Sequence, residues 1–340
     1  DHQVAVMFSR NGFIKRIPVD TFRSQLRGGR GVNGMGTRDE DIIDQLFVTS
    51  THDYLMAFSN KGRVFKIKVY QIPEGSRQGK GVSVSHFLNL DESEIITTTV
   101  PIKSFDTDEF LFMVTQKGVA KKTPVRDFIH FKNKPIAAIK LDDGDNLRWV
   151  NKTDGKQDVV LVTSAGMVIR FNEEQVRSMG RATRGVRGIR IKPEDNLVSS
   201  GIINPDDDKL FLLIITKRGY GKNLRISEFK IQSRGGVGVK ALRFRKTIKD
   251  DCVTDAITVN KENEIIVATK SGTVCRQKIE KISTQRRESQ GVSIVKVSDK
   301  DEVMAMSQVI EVEEELELTD SNSADANSSK GNSKDENKVE

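Results

Sequence analysis

The chain has 340 residues, 36% of them hydrophobic and 30% charged, with 55 Lys plus Arg against 48 Asp plus Glu and a formal net charge of +7. That composition excludes collagen, a disulfide scaffold and wholesale disorder, and the longest apolar run, Leu210–Ile215, is far short of the ~20 residues of a membrane helix. Cys252 and Cys275 lack metal or redox spacing, as in a reducing compartment, and a start at Asp1 without a secretory signal leads us to expect an excised piece of a longer protein.

One pattern recurs along the chain: an apolar run, a few polar residues, Gly, then a second strand, usually rich in Lys or Arg. The copies begin at Val4, Tyr54, Phe110, Val159, Leu210 and Glu264, with turn glycines Gly12, Gly62, Gly118, Gly166, Gly219 and Gly272. Gly between two β-rich runs predicts a hairpin, because tight hairpin turns need a positive φ. Nineteen residues after each turn glycine stands another small residue: Gly31, Gly81, Ala137, Gly185, Gly238 or Gly291. Ten residues further, four copies carry Asp41, Asp91, Asp195 and Asp301. Recurrence in register marks these acids as turn caps rather than catalytic carboxylates.

Each unit therefore reads as strand, Gly turn, strand, basic Gly loop, strand, acidic turn, strand. No segment shows sustained helical periodicity, and four strands in ~50 residues is the size of a propeller blade. The predicted fold is all-β: a six-bladed disc of four-stranded blades over residues 1–310, with repeats near 4–53, 54–109, 110–158, 159–209, 210–262 and 263–310. A flat ring and an open spiral both remain. Residues 311–340 read as a disordered acidic tail, with ten acids against three lysines, so the +7 divides into −7 for the tail and +14 for the body. A basic body points to a polyanion partner.

The Gly loops are where that charge recurs. They contain Gln25, Arg27, Gly28, Gly29, Arg30 and Gly31 in the first copy, Arg77 and Lys80 in the second, and Lys132 and Lys134 in the third, which has lost its glycines. The later loops carry Arg181, Arg184 and the following Arg187, then Arg234 and the following Lys240, then Arg286 and Arg287. Glycine lets backbone N–H groups approach phosphate closely, and Arg adds bidentate charge-assisted bonds. One such loop per blade on a common edge makes a basic rim suited to bent duplex DNA, held through its backbone without regard to sequence. The basic second strands (Lys15-Arg16, Lys66, Lys68, Lys121-Lys122) are expected to lie behind this rim, with strand alternation turning some of them to solvent on the other side.

Other motifs dissolve in this frame. Gly29–Gly34 matches GxGxxG but lies in a β-only repeat, and Gly75–Gly81 is one residue short of a P-loop. His2, His52, His86 and His130 form no ligand cluster, and Tyr54, Tyr70 and Tyr220 sit in or beside the strand pattern.

Gln25-Leu26-Arg27-Gly28-Gly29-Arg30-Gly31 resembles the signature box of the C-terminal domain of the bacterial DNA gyrase A protein, departing from it at Leu26, where a basic residue is usual. With six registered repeats, the resemblance spans residues 1 to about 310. It implies a β-pinwheel whose blades exchange strands, and which wraps duplex DNA chirally so that a type II topoisomerase introduces negative supercoils. It makes the box the wrapping determinant and the acidic tail a modulator. It further implies no catalytic residue and no cofactor in this piece. ATP and Mg²⁺ are used elsewhere in a complex with the gyrase A cleavage domain and the gyrase B protein, in the cytoplasm at the nucleoid and not on a membrane. The corresponding domain of topoisomerase IV, a protein-binding propeller and a propeller hydrolase are the rival readings.

Overall fold

In the computed structural model, which describes residues 2–19, 43–76, 79–131 and 134–309, all six glycine turns close hairpins. These pair β1 (Gln3–Ser9) with β2 (Phe13–Pro18), β4 (Tyr54–Ser59) with β5 (Arg63–Lys68), and β8 (Phe110–Thr115) with β9 (Val119–Pro124). The other three are β12 (Asp158–Thr163) with β13 (Met167–Asn172), β16 (Phe211–Thr216) with β17 (Tyr220–Arg225), and β20 (Glu264–Thr269) with β21 (Val274–Lys278). The six turn glycines have φ between 75° and 87°, the left-handed region that side chains with a Cβ avoid.

A third strand adds to the first strand of each hairpin: β3 (Ile43–Ser50), β7 (Ile96–Ile102), β11 (Leu147–Thr153), β15 (Leu197–Ile203), β19 (Val253–Val259) and β23 (Val303–Gln308). These six line a shared central cavity and so form the inner edges of the blades. On the outer edges stand two-residue strands that come from the next repeat along the chain: β6 (Val82–Ser83), β10 (Ile136–Ala137), β14 (Val186–Arg187), β18 (Val239–Lys240) and β22 (Val292–Ser293). Five blades thus have four strands each, and the sixth shows three among the described residues. Among the described residues the structure is all-β apart from one-turn 3-10 segments and the five-residue helix α1 (Val84–Leu88).

The first strand of each hairpin is apolar on both of its faces because the blades stack on one another. Val4, Val6 and Phe8 face the second blade beside Leu55 and Phe65, and four further clusters, centred on Phe128, Phe171, Phe229 and Ile279, join successive blades. Ala5, Met7 and Leu46 of the first blade form a separate cluster from Ala268 and Ala305 of the sixth. Ser307 Oγ nevertheless donates to Ile43 O at 3.1 Å, so the last blade returns beside the first.

Candidate nucleic-acid interface

The rim is built by strand exchange. After its 3-10 turn, each later repeat pairs a short antiparallel strand with the second strand of the preceding blade. Among the described residues four of the five, all but the third, first make a parallel bridge to it. The bridges are Arg16 with Glu74, Lys122 with Ser178, Arg170 with Ile231, and Asn223 with Thr284. The basic Gly loop lies between these two contacts and is anchored by them. The loop glycines are needed where the two backbones meet: a Cβ on Gly81 would lie 2.4 Å from Ile14 O, and one on Gly238 would lie 2.5 Å from Val168 O.

The third loop corrects the sequence register. Ala137 pairs with Arg63, just as Arg187 pairs with Val119 and Lys240 with Met167. Ala138 N–H also donates to Gly62 O, as Gly188 N–H does to Gly118 O. Pro135, not Ala137, therefore stands where the other copies have glycine. That loop is two residues shorter, and Ala137-Ala138 only mimicked the Gly-Val step.

The basic second strands also differ from expectation. Lys15, Lys121 and Lys222, each three residues after its turn glycine, are at most 1% exposed. Lys15 Nζ donates to Ser76 O at 3.0 Å and Gly79 O at 2.8 Å. Lys121 Nζ donates to Ala138 O at 2.6 Å and to Arg181 O. Lys222 Nζ donates to the carbonyls of Arg286, Arg287 and Ser289 at 2.7, 2.9 and 3.0 Å, and to Ser289 Oγ. Burial pushes each of these ammonium groups down to about 8, while the surrounding carbonyl oxygens favour the protonated form. Lys222 was not singled out in the sequence; its position relative to Gly219, the same as Lys15 to Gly12, was the available signal.

The next residue along staples the following repeat's 3-10 turn. Arg16 Nε reaches Ile72 O at 2.7 Å, Lys66 Nζ reaches Ile129 O at 2.9 Å, and Lys122 Nζ reaches Glu173 O at 3.1 Å. Asn223 makes the equivalent bonds to Ile279 O and Ile282 O. Lys68 donates to His52 O. These side chains bind backbone rather than facing solvent unoccupied, because a 3-10 turn leaves its carbonyls in need of donors.

Of the loop residues singled out, Gln25, Arg27, Gly28, Gly29, Arg30, Gly31, Arg77 and Lys132 lie outside the described residues, as do Asp41 and the tail. Lys80, Lys134, Arg184, Arg187, Lys240 and Arg286 are exposed on the rim, and Arg181 and Arg287 are half-buried. Arg184 pairs with Asp142 at 2.7 Å in the open. Arg234 is turned partly inward: its guanidinium donates to Gln175 O at 3.1 Å and Arg187 O at 2.6 Å.

Turn capping holds for two of the repeated acids. Asp195 accepts from the backbone N–H groups of Ala165 and Asn196, and Asp301 from those of Ser271 and Glu302, which with the Ser271 hydroxyl hold its carboxyl down to about 2. Asp145 and Asp251 do the same in the copies of shifted register. Asp91 instead pairs with Arg63 at 2.7 Å. The central cavity, about 550 Å³, holds Arg10 between Asp44 at 2.8 Å and Asp255 at 3.5 Å. Burial pushes the Asp255 carboxyl up to about 6. Among the described residues no group of three His, Cys, Asp or Glu could hold a metal ion, and no helix is long and apolar enough to cross a membrane.

The family described as "DNA gyrase C-terminal domain, beta-propeller" matches six times, at residues 3–50, 53–103, 109–154, 157–204, 211–259 and 263–310. The DNA gyrase A protein of Staphylococcus epidermidis (strain ATCC 12228 / FDA PCI 1200) is 35% identical over 312 residues, covering 92% of this chain and 35% of the relative. That of Staphylococcus aureus (strain MRSA252) is 36% identical over 313 residues, with the same coverage. The chain thus spans about a third of the length of these relatives. A solved DNA gyrase A C-terminal domain superposes with a TM-score of 0.68 at 28% identity, over 91% of this chain and all of the other. The C-terminal domain of DNA topoisomerase IV superposes with 0.82 at 24% identity, over 95% and 98%, a likeness of fold alone.

Proposed function

Since the chain belongs to the DNA gyrase C-terminal domain family of DNA-binding β-propellers, we propose that it bends and wraps duplex DNA around its rim, without sequence preference and with a fixed hand. The observation that carries this reading is the strand exchange, which sets a basic loop on the outer edge of successive blades. Smooth bending of 20–30 base pairs by 40–90° costs about 1–6 kcal/mol, so several phosphate contacts per blade must offset it. The +14 of the first 310 residues supplies the charge for such contacts.

In the proposed parent, a gyrase A protein, the wrapped segment is presented to a cleavage domain and passed in a direction that introduces negative supercoils. ATP and Mg²⁺ act there and in the gyrase B protein, in the cytoplasm. The acidic tail competes with phosphate for the rim. Gyrase is favoured over topoisomerase IV because the matched relatives of 35–36% identity are gyrase A proteins and the glycines of the first-repeat box are intact.

The test is plasmid relaxation by a type I topoisomerase in the presence of the domain. Chiral wrapping leaves a linking-number shift that grows with protein; binding or planar bending leaves almost none, and that result would remove the wrapping. Arg27→Ala with Arg30→Ala should reduce the shift more than it reduces binding.

A further inference from the structure

We propose that Lys15, Lys121 and Lys222 are positioning residues for DNA wrapping: each draws the carbonyls of the following rim loop inward, so that the loop presents its N–H groups and cationic side chains to phosphate. The inference rests on the reading of the rim as the DNA surface. All three ammonium groups are sealed from solvent, so none of them touches DNA itself.

Their partners in the following loops are the backbone carbonyls of Ser76 and Gly79, of Arg181, and of Arg286, Arg287 and Ser289, and Lys121 also donates to Ala138 O of its own repeat at 2.6 Å. A trans peptide carries its N–H on the side opposite its C=O. A loop with its carbonyls drawn inward onto a buried cation therefore turns the donor ends of the same peptides outward. Ala182, Glu288 and Gln290, which follow three of these carbonyls, donate their N–H groups to no acceptor among the described residues, whereas Arg287 N–H, which follows Arg286 O, is taken by Glu228 Oε2 at 3.3 Å. Free donors beside Arg181, Arg184, Arg286 and Arg287 are the groups that take phosphate oxygens.

The arrangement alternates. At the same register, three residues after the turn glycine, the second, fourth and sixth blades carry Phe65, Ile169 and Cys275. Every second blade thus has an ammonium beneath the loop it receives, and the blades between have an apolar side chain. That alternation also supplies the control, because Ile169, fully buried, shows that this backbone accepts an apolar residue there.

Lys15→Ile, Lys121→Ile and Lys222→Ile, singly and together, separate positioning from contact. The domain is assayed for thermal unfolding, for linking-number shift on a plasmid, and for the slope of log K against log salt on linear duplex. The expected result is a folded triple variant whose linking-number shift falls several-fold and whose affinity falls about tenfold, with the salt slope unchanged, because no phosphate contact has been deleted. A wild-type linking-number shift in the folded triple variant overturns the proposal, and so does a slope reduced by about 0.9 per lysine, the mark of direct contact. If an isoleucine variant unfolds, Lys→Met at the same position, which keeps the length of the stem, takes its place under the same criteria. If the unmodified domain itself shows neither shift nor duplex binding, the rim reading has failed and takes this inference with it.

Discussion

Odd and even blades share one backbone and hold the loops they receive in two ways. Beneath the second, fourth and sixth loops lies a buried lysine in a cage of carbonyls. Beneath the fifth loop lies Ile169, and the loop is tied from its own side, by Arg234 reaching Gln175 O and Arg187 O. Gly236 closes on that isoleucine: a Cβ added there would sit 3.6 Å from its Cδ1. A glycine-rich loop without apolar side chains has little to bury, so its shape must come from hydrogen bonds to a fixed group. The two solutions differ in which side supplies the cation, and in whether that cation remains available to a ligand. The lysine cage leaves the loop arginines outside; the arginine staple occupies one of them.

Moving the odd-blade residue into an even blade breaks the comparison most severely. Ile169→Lys would bury an ammonium against Phe171, Leu161 and Val176. An unpaired buried charge of this kind costs about 3–5 kcal/mol. Urea unfolding should show that loss, and a near-neutral result would mean that any of these loops can form the cage. Below this in size stand the glycines common to both classes. Gly81→Ala and Gly238→Ala each combine a positive φ with a Cβ less than 2.6 Å from a backbone oxygen, one above Lys15 and one above Ile169. Each should cost about 2–3 kcal/mol by the same measurement. Gly12→Ala, with nothing within 4 Å of its Cβ, should cost only the ~1 kcal/mol of backbone strain. Unequal costs for Gly81 and Gly238 would show that the residue below, not the backbone approach, sets the requirement.

The same two classes explain what was legible in the sequence. Hairpin turns were readable because positive φ selects glycine, and the recurring Asp residues because a carboxylate is a good acceptor for turn N–H groups. The four-strand unit was readable from β-rich runs between them. Exchange of the short outer strand was implied only by the family resemblance and not by the repeat pattern, since Val186–Arg187 looks like part of its own repeat and pairs with Val119–Ala120 of the one before. In the third copy Ala137 offered a false glycine because small residues look alike in a pattern, whereas Pro135 keeps the true register through its pairing partners. The buried lysines were misread for a related reason. Alternation places neighbouring residues on opposite faces, but it cannot reveal that a loop from another repeat covers one of them.

Titration sharpens the comparison with a smaller effect. Lys15, Lys121 and Lys222 are pushed from an ordinary 10.5 to about 8, chiefly by burial. Arg181 adds to the push on Lys121 while Asp127 opposes it, and Glu228 opposes it on Lys222. Below about 8 the folded and unfolded chains both hold these protons. Between about 8 and 10.5 the unfolded chain still holds protons that the folded chain has released, so these three groups make folding more favourable as pH rises. Loss of the ammonium charge loosens the cages in that same window. Stability should therefore rise modestly from pH 7.5 to 9 while duplex affinity falls several-fold, although ordinary surface lysines remain charged. Parallel changes in the two quantities would refute the cage, and the triple isoleucine variant should lose the affinity change.

The smallest effect distinguishes free rim cations from occupied ones. Arg286 is exposed and only its backbone carbonyl serves the cage, so Arg286→Ala should remove one phosphate contact and lower the salt slope by about 0.9, with little change in stability. Arg234 devotes its guanidinium to two carbonyls, at 3.1 and 2.6 Å. Arg234→Ala should therefore leave the slope nearly unchanged and instead cost about 1–3 kcal/mol, since it removes two charge-assisted bonds and strands their acceptors. Salt titration of duplex binding alongside urea unfolding measures both quantities on both variants. An Arg234→Ala slope that falls as far as that of Arg286→Ala would show that its guanidinium swings out to phosphate when DNA arrives. The even-blade loop would then be held by glycine packing alone, and the distinction between the two classes would lie wholly in the lysine.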